Sequence, residues 1–436
     1  VHLYDIPMIC VLIGLALYAV LGGADFGAGF WQLSTILLPG RSEKARQRAQ
    51  RIREHAHHSM GPVWEANHVW LIFVLTVTWT AYPTAFGSIA STLAVPLFIA
   101  GLGVVFRGTA YALRAGTSKA SELGMIDTIF SLSCILTPFA LGAMVGAIAS
   151  ERVPVGNASG HLLSSWLNPI SILIGVLAVA FSAYMAAVYL AADAARRGEA
   201  ELVGQFRARA LLAGALAGVV AIAGLPVLHS DAHRIFERLI DGPGLIGLVI
   251  SVLCGIATLA LVATSRFALA RVTSALAVVG VIAGWALAQQ PILLPHLTIE
   301  QAGAPNESLI VLLAAIAMGA VILFPSLGLL FSLLLRGRFD SQSEQDPAEQ
   351  LPGLAMIGRS AHALYARISL AGLLGGLGLL TVAEAPWAHG VGVACLFACM
   401  IFAFLAVDPA QMARPAQEKP LAPLRVPGLR RRARTR

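Results

Sequence analysis

Four ionisable residues sit in apolar stretches where chemistry would be costly unless it served a purpose. Asp25 lies in "LGGADFGAGF", Glu65 and His68 in "GPVWEANHVWLI", and Arg107 in "LGVVFRGTAY". A charge near the centre of a bilayer costs about 2.5–3.5 kcal/mol on insertion scales, so each needs a partner or a task. Two carboxylates against one arginine leave a surplus acid able to trade protons, which is what a proton-uptake route needs. The plainer alternative is structural: one carboxylate pairs with Arg107 to tie helices together, and Glu65 favours the dipole at the start of its helix. Asp127, in "GMIDTIF", reads either as a cap or as a group at the mouth of such a route.

His68 follows Glu65 by three residues and shares its helix face with it. Glu-x-x-His is the spacing of a carboxylate-bridged metal site, but such sites use two copies and the apolar spans hold no second one. A hydrogen-bonded histidine is the stronger reading, and no metal site is expected. "EHAHH" (Glu54 to His58) could take a metal adventitiously. A haem would need a buried axial ligand, and the histidines and methionines offer no pair at matching depth. The five cysteines all lie in apolar segments without a CxxC, which suits small core residues. No phosphate loop, nucleophile elbow or dinucleotide fingerprint occurs, so no catalytic residue is assigned to this chain.

The elements that must position these groups are membrane helices. The chain is 57% hydrophobic and 12% charged, with mean hydropathy +0.77, which a soluble protein of this size could not solvate. The fold class is therefore all-α integral membrane. Apolar runs predict about eleven spans, near 6–37, 63–82, 85–112, 124–149, 166–193, 209–228, 244–264, 271–290, 308–335, 365–383 and 389–407. "YPTAFGS" predicts a tight hairpin between the second and third. The first span is long enough to be tilted, kinked near Gly22-Gly23, or projecting into the cytoplasm. With the N-terminus outside and the helices alternating, only Arg152, Arg234 and Arg238 of the 30 Lys and Arg fall outside, and Arg107 lies within a span. That bias predicts a cytoplasmic C-terminus. It also explains the pI of about 9.5 without nucleic acid. Residues 41–58 read as a juxtamembrane helix or loop.

Taken in order, "GGADFGAG", "GPVWEANHVWL", an arginine forty-two residues beyond that glutamate, and "WALAQQPILLPHLTIEQAGAPNESL" resemble subunit II of the bacterial cytochrome bd quinol oxidases. The resemblance covers about residues 5–336. It implies two four-helix bundles plus peripheral helices, in a multi-pass protein of the bacterial inner membrane. It also implies a partner, subunit I, carrying haem b and haem d, with none ligated here and quinol as substrate of the complex. A structural quinone, a small accessory subunit and bound lipid are left open. Carried over, Asp25 and Glu65 are the motif acids of a proton pathway and Arg107 is their charge partner; Asn67 and His68, beside Glu65, are expected to belong to the same pathway. Trp64, Trp70, Gly22 and Gly23 are packing residues of the motifs.

The sequence departs from the family pattern in several places. Glu65 and Ala66 stand where Asp-Gly is usual, His68 where Gln or Glu is usual, and Ala112 where an acid is often found. His68 adds a group whose ordinary pKa is about 6.5. A domain of residues 1–336 is expected to be followed by a cytoplasmic linker (337–363), an extra helix pair (364–410) and a basic cytoplasmic tail (411–436). The rival reading is a single-chain secondary transporter using the same intramembrane carboxylates.

Overall fold

Long runs of Leu, Val, Ile and Ala can satisfy their backbone polar groups in lipid only as helices or closed barrels, and here they do so as helices. The computed structural model describes residues 2–37, 42–59, 63–116, 120–335, 359–381 and 386–406. The first helix is α1 (Asp5–Leu17), which passes through a π turn (Tyr18–Gly22) into α2 (Gly23–Leu37). After it come α3 (Glu43–Ser59), α4 (Val63–Ala81), α5 (Pro83–Thr92), α6 (Ala94–Gly116), α7 (Ala120–Ala149) and α8 (Pro169–Arg196). The chain continues through α9 (Ala200–Ala223), α10 (Leu225–Asp231), α11 (His233–Ile240), α12 (Leu245–Ala263) and α13 (Phe267–Gln289). A two-stranded antiparallel hairpin, β1 (Ile292–Leu294) and β2 (Leu297–Thr298), precedes α14 (Ile299–Ala302) and α15 (Asn306–Leu335). The last two helices are α16 (Arg359–Thr381) and α17 (Pro386–Ala406).

Among the described residues, eight helical stretches are long and apolar enough to cross a membrane, the first being Asp5–Leu37 with its π turn included. Among the described residues, the run 63–82 gives a shorter apolar helix over Asn67–Ala81. "YPTAFGS" is not a hairpin loop. Only Tyr82 breaks the helix (φ −135°, ψ 62°), and Pro83 opens α5, because proline's fixed φ and missing N–H suit a first helical turn. The break in the first span is the π turn, lying immediately before Gly23. The segment expected to be a juxtamembrane helix or loop forms a helix over Glu43–Ser59, α3. Its buried Ala49, Ile52 and Ala56 form one stripe packed on α2 and α8.

The chain divides into two units, residues 1–319 and 320–436. In the first, α2 packs on α7 and α8, α6 on α7, α8 on α9, α12 on α13, and α4 on α1. Outward side chains such as Ile222 (70% exposed) and Phe98 (66%) are the apolar surface expected to face lipid. The "WALAQQPILLPHLTIEQAGAPNESL" motif becomes a closure at one end of the unit. Gln289 donates to the Ile292 carbonyl (3.1 Å), Thr298 and Gln301 form a reciprocal capping box, and Ala304 N–H donates to the Ala81 carbonyl (2.8 Å). In the second unit α16 packs on α17, where a Cβ at Gly372 would meet the Cys395 carbonyl at 2.9 Å. Cys399 accepts from Ser369 through its main-chain carbonyl (3.0 Å). Most of the 337–363 linker and all of the 411–436 tail lie outside the described residues.

Candidate functional site

The site starts from two glycines. A Cβ at Gly27 would lie 1.9 Å from the Ser182 carbonyl oxygen on α8, and one at Gly29 would lie 2.4 Å from Cys134 Sγ on α7. Helix α2 is therefore wedged between α7 and α8, and Asp25, on the same short stretch, is carried into the interior. Trp31 fixes the wedge by donating its indole N–H to the Ala183 carbonyl (2.8 Å). Gly23, ahead of Asp25, is also tight, since its Cβ would sit 2.7 Å from Met185 Cε.

Asp25 meets Arg107 there. Arg107 Nη2 lies 2.5 Å from Asp25 Oδ1, and the two side chains are 1% and 6% exposed respectively. The contact is a charge contact without hydrogen-bond geometry: among the described residues both carboxylate oxygens and all three guanidinium nitrogens lack a hydrogen-bond partner. The guanidinium is flanked by the rings of Phe26 (4.8 Å) and Phe130 (5.5 Å), which attract a cation through their π faces. The pair thus sits in an aromatic box supplied by α2 and α7.

The π turn links this pair to α4. Asn67 donates through Nδ2 to the Leu21 carbonyl inside that turn (3.3 Å), and such turns recur at functional sites. The His68 ring lies 6.1 Å from Tyr18 and 6.2 Å from Phe26. Asp25, Asn67, His68 and Arg107 are therefore gathered in one place, with Gly22 and Gly23 buried beside them. Trp70 is buried edge-on to Phe73 (6.4 Å). Glu65 and Trp64 belong to the first turn of α4, but their side chains lie outside the described residues.

Asp127 is not a helix cap: α7 begins at Ala120, two turns earlier, and Asp127 is ion-paired with Arg114. Arg114 follows Arg107 by seven residues on α6, about two turns or 10.5 Å, so two ion pairs are stacked along the side of α6. Sequence reasoning missed Tyr18, Phe26, Phe130 and Cys134, whose apolar or weakly polar side chains carry no signal distinct from packing. Among the described residues no group of three or more His, Cys, Asp or Glu could hold a metal ion. In the "EHAHH" stretch, His55 makes a contact between Nε2 and the Leu190 carbonyl (3.1 Å) and packs against Phe206 (5.5 Å). The side chains of His57 and His58 lie outside the described residues.

Comparison with known proteins places this arrangement. A family model described as "Cytochrome bd terminal oxidase subunit II" matches residues 3–334. The chain is 27% identical over 177 residues to the cytochrome bd ubiquinol oxidase subunit 2 of Bacillus subtilis, covering 40% of this chain and 48% of that protein. It is 24% identical over 245 residues to the cytochrome bd-I ubiquinol oxidase subunit 2 of Escherichia coli K12, covering 53% and 59%. The chain thus spans about half the length of the curated relatives it matches. Its fold is similar to a chain of the bd oxidase from Geobacillus thermodenitrificans, with a TM-score of 0.59 at 25% identity, covering 77% of this chain and 99% of the other.

Proposed function

The chain belongs to the cytochrome bd terminal oxidase subunit II family, and on that premise we propose that it is the haem-free second subunit of a bacterial quinol:oxygen oxidoreductase. Its place is the inner membrane, beside a subunit I that binds haem b and haem d. Those haems would supply electron transfer from quinol and the reduction of oxygen. This chain would scaffold the partner and bring it cytoplasmic protons. The transporter reading loses its ground with the family.

What supports a haem-free chain is the donor chemistry of its buried histidines and methionine. His55 commits Nε2 to a main-chain carbonyl, His68 lies against the rings of Tyr18 and Phe26, and Met185 is packed on Gly23. His68 and Met185 therefore present no axial ligand to an open face, and the Nε2 of His55 is already engaged.

The observation that carries proton delivery is the Asp25–Arg107 pair. Desolvating two ions costs several kcal/mol each, so a buried pair is a poor way to gain stability alone. Here Oδ1 makes the 2.5 Å contact with the cation, and Oδ2 is buried with no hydrogen-bond partner among the described residues. Oδ2 can accept a proton passed from the α4 side, where Glu65 supplies a second acid and Asn67 and His68 line the approach. Arg107 keeps the total charge of the site low in both protonation states. The mouth would lie at the Arg114 end of α6, which the basic-residue bias puts in the cytoplasm.

Affinity purification of the tagged chain in mild detergent, with a reduced-minus-oxidised spectrum, tests the assignment. Haem bands and a second multi-span polypeptide are expected, with all haem on the second polypeptide after the two are separated. A single chain without haem, from membranes that express the partner, would overturn it.

A further inference from the structure

Away from the Asp25–Arg107 pair, a second polar site opens where three spans end. Arg114 closes the span of α6, Arg197 directly follows that of α8, and Ala200 starts that of α9. Between these ends and the juxtamembrane helix α3 lies a cavity of about 420 Å³, bordered by Arg51, Glu54, His55, Arg114, Arg197 and Glu199. Its level is that of lipid headgroups, since the apolar spans stop there.

The cavity wall carries both charges. On the cationic side, Arg51 and Arg114 are steadied by Glu201 (2.7 Å) and Asp127, while Arg197 has no ion-pair partner among the described residues. Helix α9 starts at the same wall, and its N-cap Glu199 makes no side-chain cap. First-turn N–H groups and the positive end of that helix therefore add to the anion-binding side. The same lining also carries three acceptors. Glu54 and Glu199 are two of them, and among the described residues Glu54 accepts one amide hydrogen, from Gln50 (2.8 Å). The third is His55, which is 4% exposed. Its Nε2 faces the Leu190 carbonyl at 3.1 Å and must donate to it, so in the neutral ring Nδ1 is a lone-pair acceptor, and Nδ1 has no partner among the described residues.

A simple anion would use the guanidinium side and leave two carboxylates and an imidazole lone pair unmatched. A cation would do the reverse. The geometry points to a site for the phosphoethanolamine headgroup of a membrane lipid. Its phosphate rests on Arg197, Arg51, Arg114 and the start of α9, and its ammonium donates its three hydrogens towards Glu54, Glu199 and His55. Basic pockets at the ends of membrane helices are established headgroup sites, and the paired acceptors give this one a preference for the zwitterion. The site shares Arg114 with the proposed proton mouth, and its test therefore reads lipid binding rather than turnover.

The test uses the purified two-subunit complex, stripped of lipid and titrated with short-chain phosphatidylethanolamine, short-chain phosphatidylglycerol or inorganic phosphate under native mass spectrometry. One phosphatidylethanolamine per complex is expected at this site, in preference to the other two. Arg197→Gln should weaken its retention roughly tenfold, about the value of one charge-assisted contact. The double variant Glu54→Gln/Glu199→Gln should keep phosphatidylglycerol binding and lose the preference for the amine. Unchanged retention in Arg197→Gln would overturn the site. Equal binding of phosphatidylglycerol to the unmodified complex would overturn the amine, and displacement by inorganic phosphate at comparable concentration would overturn the lipid.

Discussion

Replacing Arg107 by methionine removes one half of a pair whose members are almost wholly shielded from water, at 1% and 6% side-chain exposure. At the observed 2.5 Å and an effective dielectric of about 20, the Coulomb attraction is roughly 6–7 kcal/mol. Desolvation of the two ions offsets most of it, so the intact pair adds little net stability. Breaking it is different: the Asp25 carboxylate would be stranded in a site with no solvent screening, which costs about 3–5 kcal/mol. Lost contacts to Phe26 and Phe130 add about 0.5–2 kcal/mol each. Arg107→Met should therefore shift the equilibrium of the assembled complex by at least about 10²-fold, read as a fall in haem-containing complex and in its thermal midpoint in detergent. Asp25→Leu/Arg107→Met, which removes both charges at similar volume, should recover most of that loss while leaving oxygen consumption impaired. If the double variant were as unstable as the sum of the two single variants, the charge contact would not be what couples α2 to α6.

Two further outcomes follow from the packing and from the buried histidine of α3. Gly27→Ala would drive a Cβ to 1.9 Å from the Ser182 carbonyl, forcing α2 off α8 at a cost of about 1–3 kcal/mol. Gly101→Ala, facing open space, should be silent, and the yield of assembled complex separates the two. Burial lowers the pKa of His55, only partly opposed by its hydrogen bond to the Leu190 carbonyl. A histidine depressed in the folded state contributes stability that is complete above its unfolded pKa, about 6.5. That contribution falls as pH drops below this value and is lost through the folded pKa. The protection factor of α3 amides, exchange corrected for its intrinsic pH dependence, should fall as pH drops below about 6.5, and His55→Gln should remove that acid-dependent step.

Much of the site could be read from residue order. "GGADFGAG" marked Asp25 as an acid inside an apolar span, and the structure shows Gly27 and Gly29 of the same stretch letting α2 approach α8 and α7 closely. Arg107 as the partner cation followed from the cost of burying either charge alone. Other features were hidden for identifiable reasons. Phe26 and Phe130 sit in apolar spans where any aromatic looks like packing, so their role as walls around the guanidinium needed three dimensions. Asp127 looked like a cap because its apolar run starts nearby, but the polar residues before it are already helical from Ala120. "YPTAFGS" looked like a loop because Pro, Gly and Ser mark turns, whereas Pro83 here occupies the first helical position. The π turn has no sequence signature beyond the glycines that follow it.

The proposed role in proton delivery is tested most directly by oxygen consumption per haem in the assembled complex carrying Asp25→Asn or Glu65→Gln, with Asp25→Glu as the conservative control. Turnover per haem is expected to fall by about 10²-fold or more in the two neutral variants, the low end of what a positioned proton-transfer group contributes. The fall should steepen towards alkaline pH, and the Glu variant should restore part of the rate. Unchanged turnover per haem, or a loss of activity that only follows the loss of haem, would contradict the role and leave Asp25 and Arg107 as a structural pair.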